Sequence, residues 1–164
     1  MKDTKIYFDK DVNIEIIKNK IVGIIGFGNQ GRAQTLNLID SGIEVIVGVR
    51  SNSKSIAVLK KRGIKHLPIN ELIKKADVIS MLVPDAEMKN VYYDFVHNNL
   101  KPDQTLIFSH GYNIHYNLIS VPENVNVGMV APSGGGQLLR DSYKKGSGIP
   151  ALLAVHQDYS GETL

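Results

Sequence analysis

Three glycines, Gly26, Gly28 and Gly31, fall in the stretch IVGIIGFGNQGRAQ with the spacing G-x-G-x-x-G. An apolar run, Ile21–Ile25, leads into them. A helical pattern follows, with Ala33, Leu36 and Ile39 on one side. Strand, tight turn and helix in that order can bind the pyrophosphate of a dinucleotide. Gly26 allows the turn, Gly28 puts no side chain in the way of the phosphates, and Gly31 lets the helix approach the strand. Phe27, Asn29 and Gln30 complete the turn. The first helical N–H groups and the positive end of the helix dipole then face the anion. A glycine turn without a ligand has the same local pattern. The second strand, Glu44–Val49, at the expected distance favours the binding site.

The end of that second strand selects the dinucleotide. Chains that bind NAD usually carry an acid there, roughly 20 residues past the motif, to hold the ribose 2′-hydroxyl. This chain has Arg50, followed by Ser51-Asn52-Ser53-Lys54-Ser55. A guanidinium fork suits a phosphate, and Ser53 and Ser55 add hydroxyls, so NADP(H) is expected. The alternative is a polar turn whose serines only cap the next helix.

A further candidate is His110, which follows the apolar run Thr105–Phe108 and precedes Gly111. A histidine at a strand end beside a nucleotide crevice can act as general acid or base; otherwise it bonds to loop backbone. Asp85 also ends a strand and could reach the cofactor, orient His110, or cap the helix expected to begin at Ala86. Glu87 in the first helical turn suits the dipole. Ser133-Gly134-Gly135-Gly136 reads as a flexible loop whose N–H groups could cup an anion. No His/Asp/Glu cluster has metal-ligand spacing, so no metal site is expected.

These residues need a scaffold of alternating strands and helices. The expected strands are Lys5–Phe8, Ile21–Ile25, Glu44–Val49, Lys65–Leu67, Asp77–Val83, Thr105–Phe108, Asn126–Ala131 and Ala151–Val155. The expected helices are Val12–Lys18, Gln30–Ser41, Ile56–Arg62, Glu71–Lys75 capped by Asn70, and Ala86–Asn98. Such alternation predicts an α/β fold of the Rossmann type, doubly wound, with a mainly parallel sheet and helices on both faces. Ligands in such sheets bind beyond the carboxyl ends of the strands, where the four motifs fall.

With 164 residues, 43% of them hydrophobic, residues 1–164 form a single domain able to bury a core. The net charge is +3 and no block of like charge appears. Anionic small molecules are therefore better partners than nucleic acid. Cysteine is absent, which removes disulfides and thiolate chemistry. Met1-Lys2-Asp3 leads into a mixed polar stretch rather than a signal-peptide pattern, and no run approaches a membrane span. The expected location is the cytoplasm, with no membrane partner.

In order along the chain, GFGNQGRAQTLNLIDSG, VGVRSNSKS, ADVISMLVPDAEM, FSHGYNIHY, VNVGMVAPSGGGQLLR and GSGIPALLAVHQDYSG resemble ketol-acid reductoisomerase of the short-chain class. The resemblance runs from about Lys5 to Gly161. It implies NADPH at Phe27 to Gln30, a 2′-phosphate loop at Arg50, Ser53 and Ser55, and a cofactor-contacting turn at Asp85, Ala86, Glu87 and Met88. It also implies an active-site histidine at His110 and a glycine near the nicotinamide at Gly136. The reaction implied is a magnesium-dependent alkyl shift in an acetohydroxy acid followed by hydride reduction, in valine, leucine and isoleucine biosynthesis.

The chain departs from the family pattern in three places. Ser133 stands where the family usually has lysine after Ala-Pro. Arg32 and Gln34 replace histidines, and Asp85-Ala86-Glu87-Met88 replaces Asp-Glu-x-Gln. The family's C-terminal helical domain, which carries the Mg2+ ligands, is expected to be absent from residues 1–164. The reading is thus an NADP-binding half that needs a helical-domain partner or a homo-oligomer. The alternatives are a stand-alone NADP-binding or sensing module without the reaction, and a fragment of another oxidoreductase such as a hydroxyacid dehydrogenase.

Overall fold

The computed structural model describes residues 5–164. Met1, Lys2 and Asp3, read above as lacking a signal-peptide pattern, lie outside the described residues. Seven strands form one sheet: β1 Ile21–Ile25, β2 Glu44–Val49, β3 His66–Pro68, β4 Val78–Met81, β5 Thr105–Phe108, β6 Asn126–Pro132 and β7 Ala151–Gln157. Their spatial order is β3-β2-β1-β4-β5-β6-β7. β1 to β6 are parallel, with Ile24 level with Val47 on one side and Ser80 on the other. β7 alone is antiparallel, pairing with β6. The order reverses between β1 and β4, which opens a crevice at their carboxyl ends.

The strands are continuous apolar runs because both faces are covered. Alternate residues serve opposite faces. Ile25, Ile46, Ile79 and Met81 face α4 (Ile69–Ile73) and α5 (Asp85–Val91). Val22, Ile24 and Val45 pack with Leu38 of α2 (Asn29–Asp40), and Val47 and Val49 with Leu59 of α3 (Ser55–Lys61). Leu72 of α4 lies so close to β2 that a Cβ on Gly48 would sit 2.6 Å from its Cδ2. Gly42, at φ +79°, ends the turn after α2 in a conformation that suits glycine. No helix among the described residues is long and apolar enough to cross a membrane.

Several local expectations change. Residues 5–8 form no strand; they have no neighbouring strand to pair with, and Ile6 and Phe8 are exposed. The first α-helix, α1, covers only Glu15–Lys18 and buries nothing. The helix expected at Glu71 begins at Ile69, and Pro68 rather than Asn70 stands at its N-cap. Proline's fixed φ suits that entry. The strand expected over 77–83 is hydrogen-bonded only over Val78–Met81. The helix expected over 86–98 is α-helical for Asp85–Val91, then makes one π turn, Tyr92–Val96, and a 3₁₀ turn, His97–Asn99.

Two helices were not anticipated: α6 (Tyr112–His115) and α7 (Gly136–Lys144). α7 packs on α2 largely through polar groups. Arg140 donates to Asn37 Oδ1 at 2.9 Å and to Asp40 Oδ2 at 2.5 Å. The Tyr143 hydroxyl meets Ser41 Oγ at 2.8 Å.

Candidate cofactor site

β1 ends in Gly26, whose φ of +98° is a conformation that side chains rarely adopt. A Cβ there would also lie 2.7 Å from the Leu82 carbonyl oxygen. Gly31, one turn into α2, backs directly onto the Gly26 carbonyl. Gly28 is different: a Cβ there would meet nothing within 4 Å. Gly26 and Gly31 therefore build the turn, and Gly28 leaves open space above it. Gly28 stands at the N-cap of α2 and no side chain bonds to the helix's first N–H groups. The N–H groups of Asn29, Gln30 and Gly31 are left for an anion. Phe27 is half-buried against Val47, Val49 and Leu59, so its ring anchors the turn.

The Gln30 side chain donates to the Gly134 carbonyl at 2.8 Å and accepts from Gln34 Nε2 at 3.3 Å. Gln34 also reaches Ser109 Oγ, 3.4 Å away. These contacts tie the glycine turn to the ends of β5 and β6. The glutamine pair was not recognised in the sequence, because only the fold brings Gly134 and Ser109 beside α2.

Arg50 lies just beyond the end of β2. The Ser53 N–H donates to the Arg50 carbonyl at 2.9 Å, and Ser53 Oγ accepts the Ser55 N–H at 3.3 Å. This bond closes the turn before α3, whose N-cap is Lys54 and whose first residue is Ser55. It uses the Ser53 oxygen as acceptor and leaves its proton to donate. Arg50 Nη2 lies 3.2 Å from Glu87 Oε2.

α5 begins at Asp85, with Pro84 at its N-cap. Asp85 is therefore inside the first turn, not the cap expected before Ala86, because proline already sets the entry angle. Ala86 and Glu87 are exposed beside it. The Met88 side chain is 2% exposed and packs in the core with Val91 and Tyr92. Only its backbone remains for a ligand.

Asp85 Oδ2 lies 3.7 Å from His110 Nδ1, close enough to pair with a protonated ring. The same Nδ1 accepts the Tyr112 N–H at 3.2 Å. An accepting Nδ1 puts the neutral ring's proton on Nε2. The His110 ring is exposed. The ring thus makes the expected bond to loop backbone and leaves Nε2 unengaged.

Ser133–Gly136 is held by backbone contacts to other segments. The Ser133 N–H donates to the Pro150 carbonyl at 2.8 Å, and Gly134 accepts from Gln30. Gly136 is the first residue of α7 and abuts the Asn29 backbone. A hollow of about 350 Å³ adjoins the turn, bordered by Gly28, Asn29 and four cations, Arg32, Arg62, Arg140 and Lys144. No sequence signal linked these cations, which come from three separate elements. Among the described residues, no group of three or more His, Cys, Asp or Glu is gathered to hold a metal ion.

Residues 16–164 match the family described as acetohydroxy acid isomeroreductase, NADPH-binding domain. The ketol-acid reductoisomerase (NADP(+)) of Methanopyrus kandleri is 49% identical over 160 residues, covering 98% of this chain and 49% of that protein. The enzyme of the same name from Methanocaldococcus jannaschii is 48% identical over 98% of this chain and 48% of its own length. The chain spans about half the length of these relatives. A solved NADH-preferring ketol-acid reductoisomerase from an uncultured archaean superposes with a TM-score of 0.93 at 39% identity, over 98% of this chain and 50% of that one. A 3-hydroxyisobutyrate dehydrogenase of Mycobacterium tuberculosis, with a TM-score of 0.64 at 19% identity over 86% of this chain and 47% of that one, shares the fold alone. The chain belongs to the acetohydroxy acid isomeroreductase family and corresponds to its NADPH-binding domain.

Proposed function

We propose that this chain is the NADP(H)-binding half of a ketol-acid reductoisomerase acting on acetohydroxy acids in branched-chain amino acid biosynthesis, in the cytoplasm. One observation carries the reading: Gly28, with open space over it and uncapped N–H groups beside it, follows β1, and the strand order β2-β1-β4-β5 puts the strand end before Arg50 on one side and that before His110 on the other. The residues fit the cofactor. The first-turn N–H groups of α2 hold the pyrophosphate. Arg50, Ser53 and Ser55 hold the 2′-phosphate. NADPH, when bound, supplies a hydride. His110 Nε2 is the group able to exchange a proton with a substrate oxygen, and the Tyr112 N–H, donating to Nδ1, orients the neutral ring.

The residues present do not fit the magnesium ion that the family resemblance implies. Magnesium needs placed oxygen ligands in near-octahedral geometry, and no such acidic cluster exists among the described residues. The oxygen ligands for that ion would have to come from outside residues 5–164. Ser133 in place of lysine favours a second reading, a stand-alone NADP-binding or sensing module. Purified chain with 2-acetolactate, magnesium and NADPH, assayed with and without an added helical domain from a related enzyme, separates the two: turnover only with the added domain supports the half-enzyme. No NADPH oxidation is expected from the chain alone, and turnover would overturn that.

The binding reading is tested by fluorescence titration. A charged phosphate contact should favour NADPH over NADH by roughly tenfold or more. Equal affinities would sink it. Arg50→Asp should shift preference toward NADH.

A further inference from the structure

Arg50 and Glu87 face each other across the glycine turn. Arg50 ends β2, Glu87 lies in the first turn of α5 after β4, and β1 with its turn runs between those strands. The ion pair therefore spans the adenosine side of the crevice. The guanidinium suited to a 2′-phosphate already has an anionic partner at 3.2 Å before any ligand arrives. Glu87 is not required to complement the dipole of α5, because Asp85 shares that turn.

We propose that Glu87 is an internal competitor for Arg50, and that it sets how strongly the chain prefers a phosphorylated over an unphosphorylated nicotinamide dinucleotide. The inference rests on the cofactor reading above. An incoming 2′-phosphate must displace the Glu87 carboxylate from Arg50 or share the guanidinium with it, and at close range the two anions repel. A ribose 2′-hydroxyl meets no such opposition and can itself donate to a carboxylate. Glu87 thus lowers NADPH affinity selectively and narrows the preference that Arg50 creates. Both side chains are about half exposed, 54% and 50%, so solvent screens the effect and its size is modest.

The test is fluorescence titration of the whole chain with NADPH and with NADH, for the native protein, Glu87→Gln, Arg50→Ala and the double variant. Glu87→Gln should tighten NADPH about threefold to fivefold and change NADH by less than about twofold. The gain should shrink with added salt and disappear in the Arg50→Ala background. Weaker or unchanged NADPH binding in a natively folded Glu87→Gln variant overturns the proposal, as does an equal gain for both cofactors. If the amide variant fails to fold, Glu87→Ala gives the same readout. A native chain that binds neither cofactor overturns the site reading and this inference with it. A native chain that prefers NADPH, with no gain in the variant, overturns this inference alone.

Discussion

Gly31 lies against the carbonyl of Gly26, so close that a single methyl group between them has no room. Gly28, between them in sequence, faces open space. Gly31→Ala should cost about 1–3 kcal/mol of stability through overpacking, read as a lowered urea midpoint. Gly28→Val should leave stability within about 1 kcal/mol, as an N-cap change, and abolish cofactor binding. If the valine variant keeps its native circular dichroism and still binds NADPH, the turn is structural only.

Gln104 is 6% exposed and joins three backbone groups. Its Nε2 donates to the carbonyls of Ile73 at 2.6 Å and Ala76 at 2.7 Å, and its Oε1 accepts the Lys101 N–H at 2.7 Å. This side chain fixes the end of α4 to the start of β5. Gln104→Leu, similar in size, would strand those groups and should destabilise the fold by about 2–5 kcal/mol. Chemical denaturation measures it, and a change below about 1 kcal/mol would contradict the role.

The buried Tyr92 hydroxyl donates to the Ser120 carbonyl at 3.1 Å. Burial, and then the neighbouring Tyr93, push its pKa well above the ordinary 10.0. The contribution is fully present below that ordinary value. Above it the unfolded chain releases the proton while the folded chain holds it, so stability falls as pH rises. Tyr92→Phe should remove this slope between about pH 10 and pH 12. Urea titrations across that window decide it, and identical slopes would refute the assignment.

Asp158 is held below the usual carboxylate range, first by the Thr163 hydroxyl, which donates to its Oδ1 at 2.5 Å. The Thr163 N–H adds a bond at 3.1 Å. A depressed carboxylate stabilises the fold above its ordinary value of 3.8, and the contribution is lost as pH falls below that. Thr163→Val removes only the hydroxyl and should return the Asp158 pKa toward 3.8. Carboxyl carbon NMR titration reads this directly. No movement would show that another group depresses it.

The sheet was legible because β1, β2, β4 and β5 are apolar runs that a parallel sheet buries on both faces. Helix α7 was not. It follows directly on Ser133-Gly134-Gly135, which reads as a loop, and its packing on α2 uses Arg140 and Tyr143 rather than an apolar stripe. Residues 5–8 alternate in polarity like a strand but have no partner to pair with. Each site residue could be placed at a strand end from sequence. Asp85 beside His110 was among the readings of the sequence, and the two lie 3.7 Å apart. What could not be read was that Arg50 meets Glu87, a contact set by the order β2-β1-β4.

The two rims of the sheet have different fates in concentrated solution. β3 has three residues and ends in Pro68, which has no N–H to offer, so that rim is closed to a further strand. β7 has seven residues, pairs on one side only, and contains neither proline nor lysine. Its Leu152, Leu153 and Val155 are exposed among the described residues. Self-association of the purified chain would therefore grow from the β7 rim, and a lysine there would act as a brake on that growth.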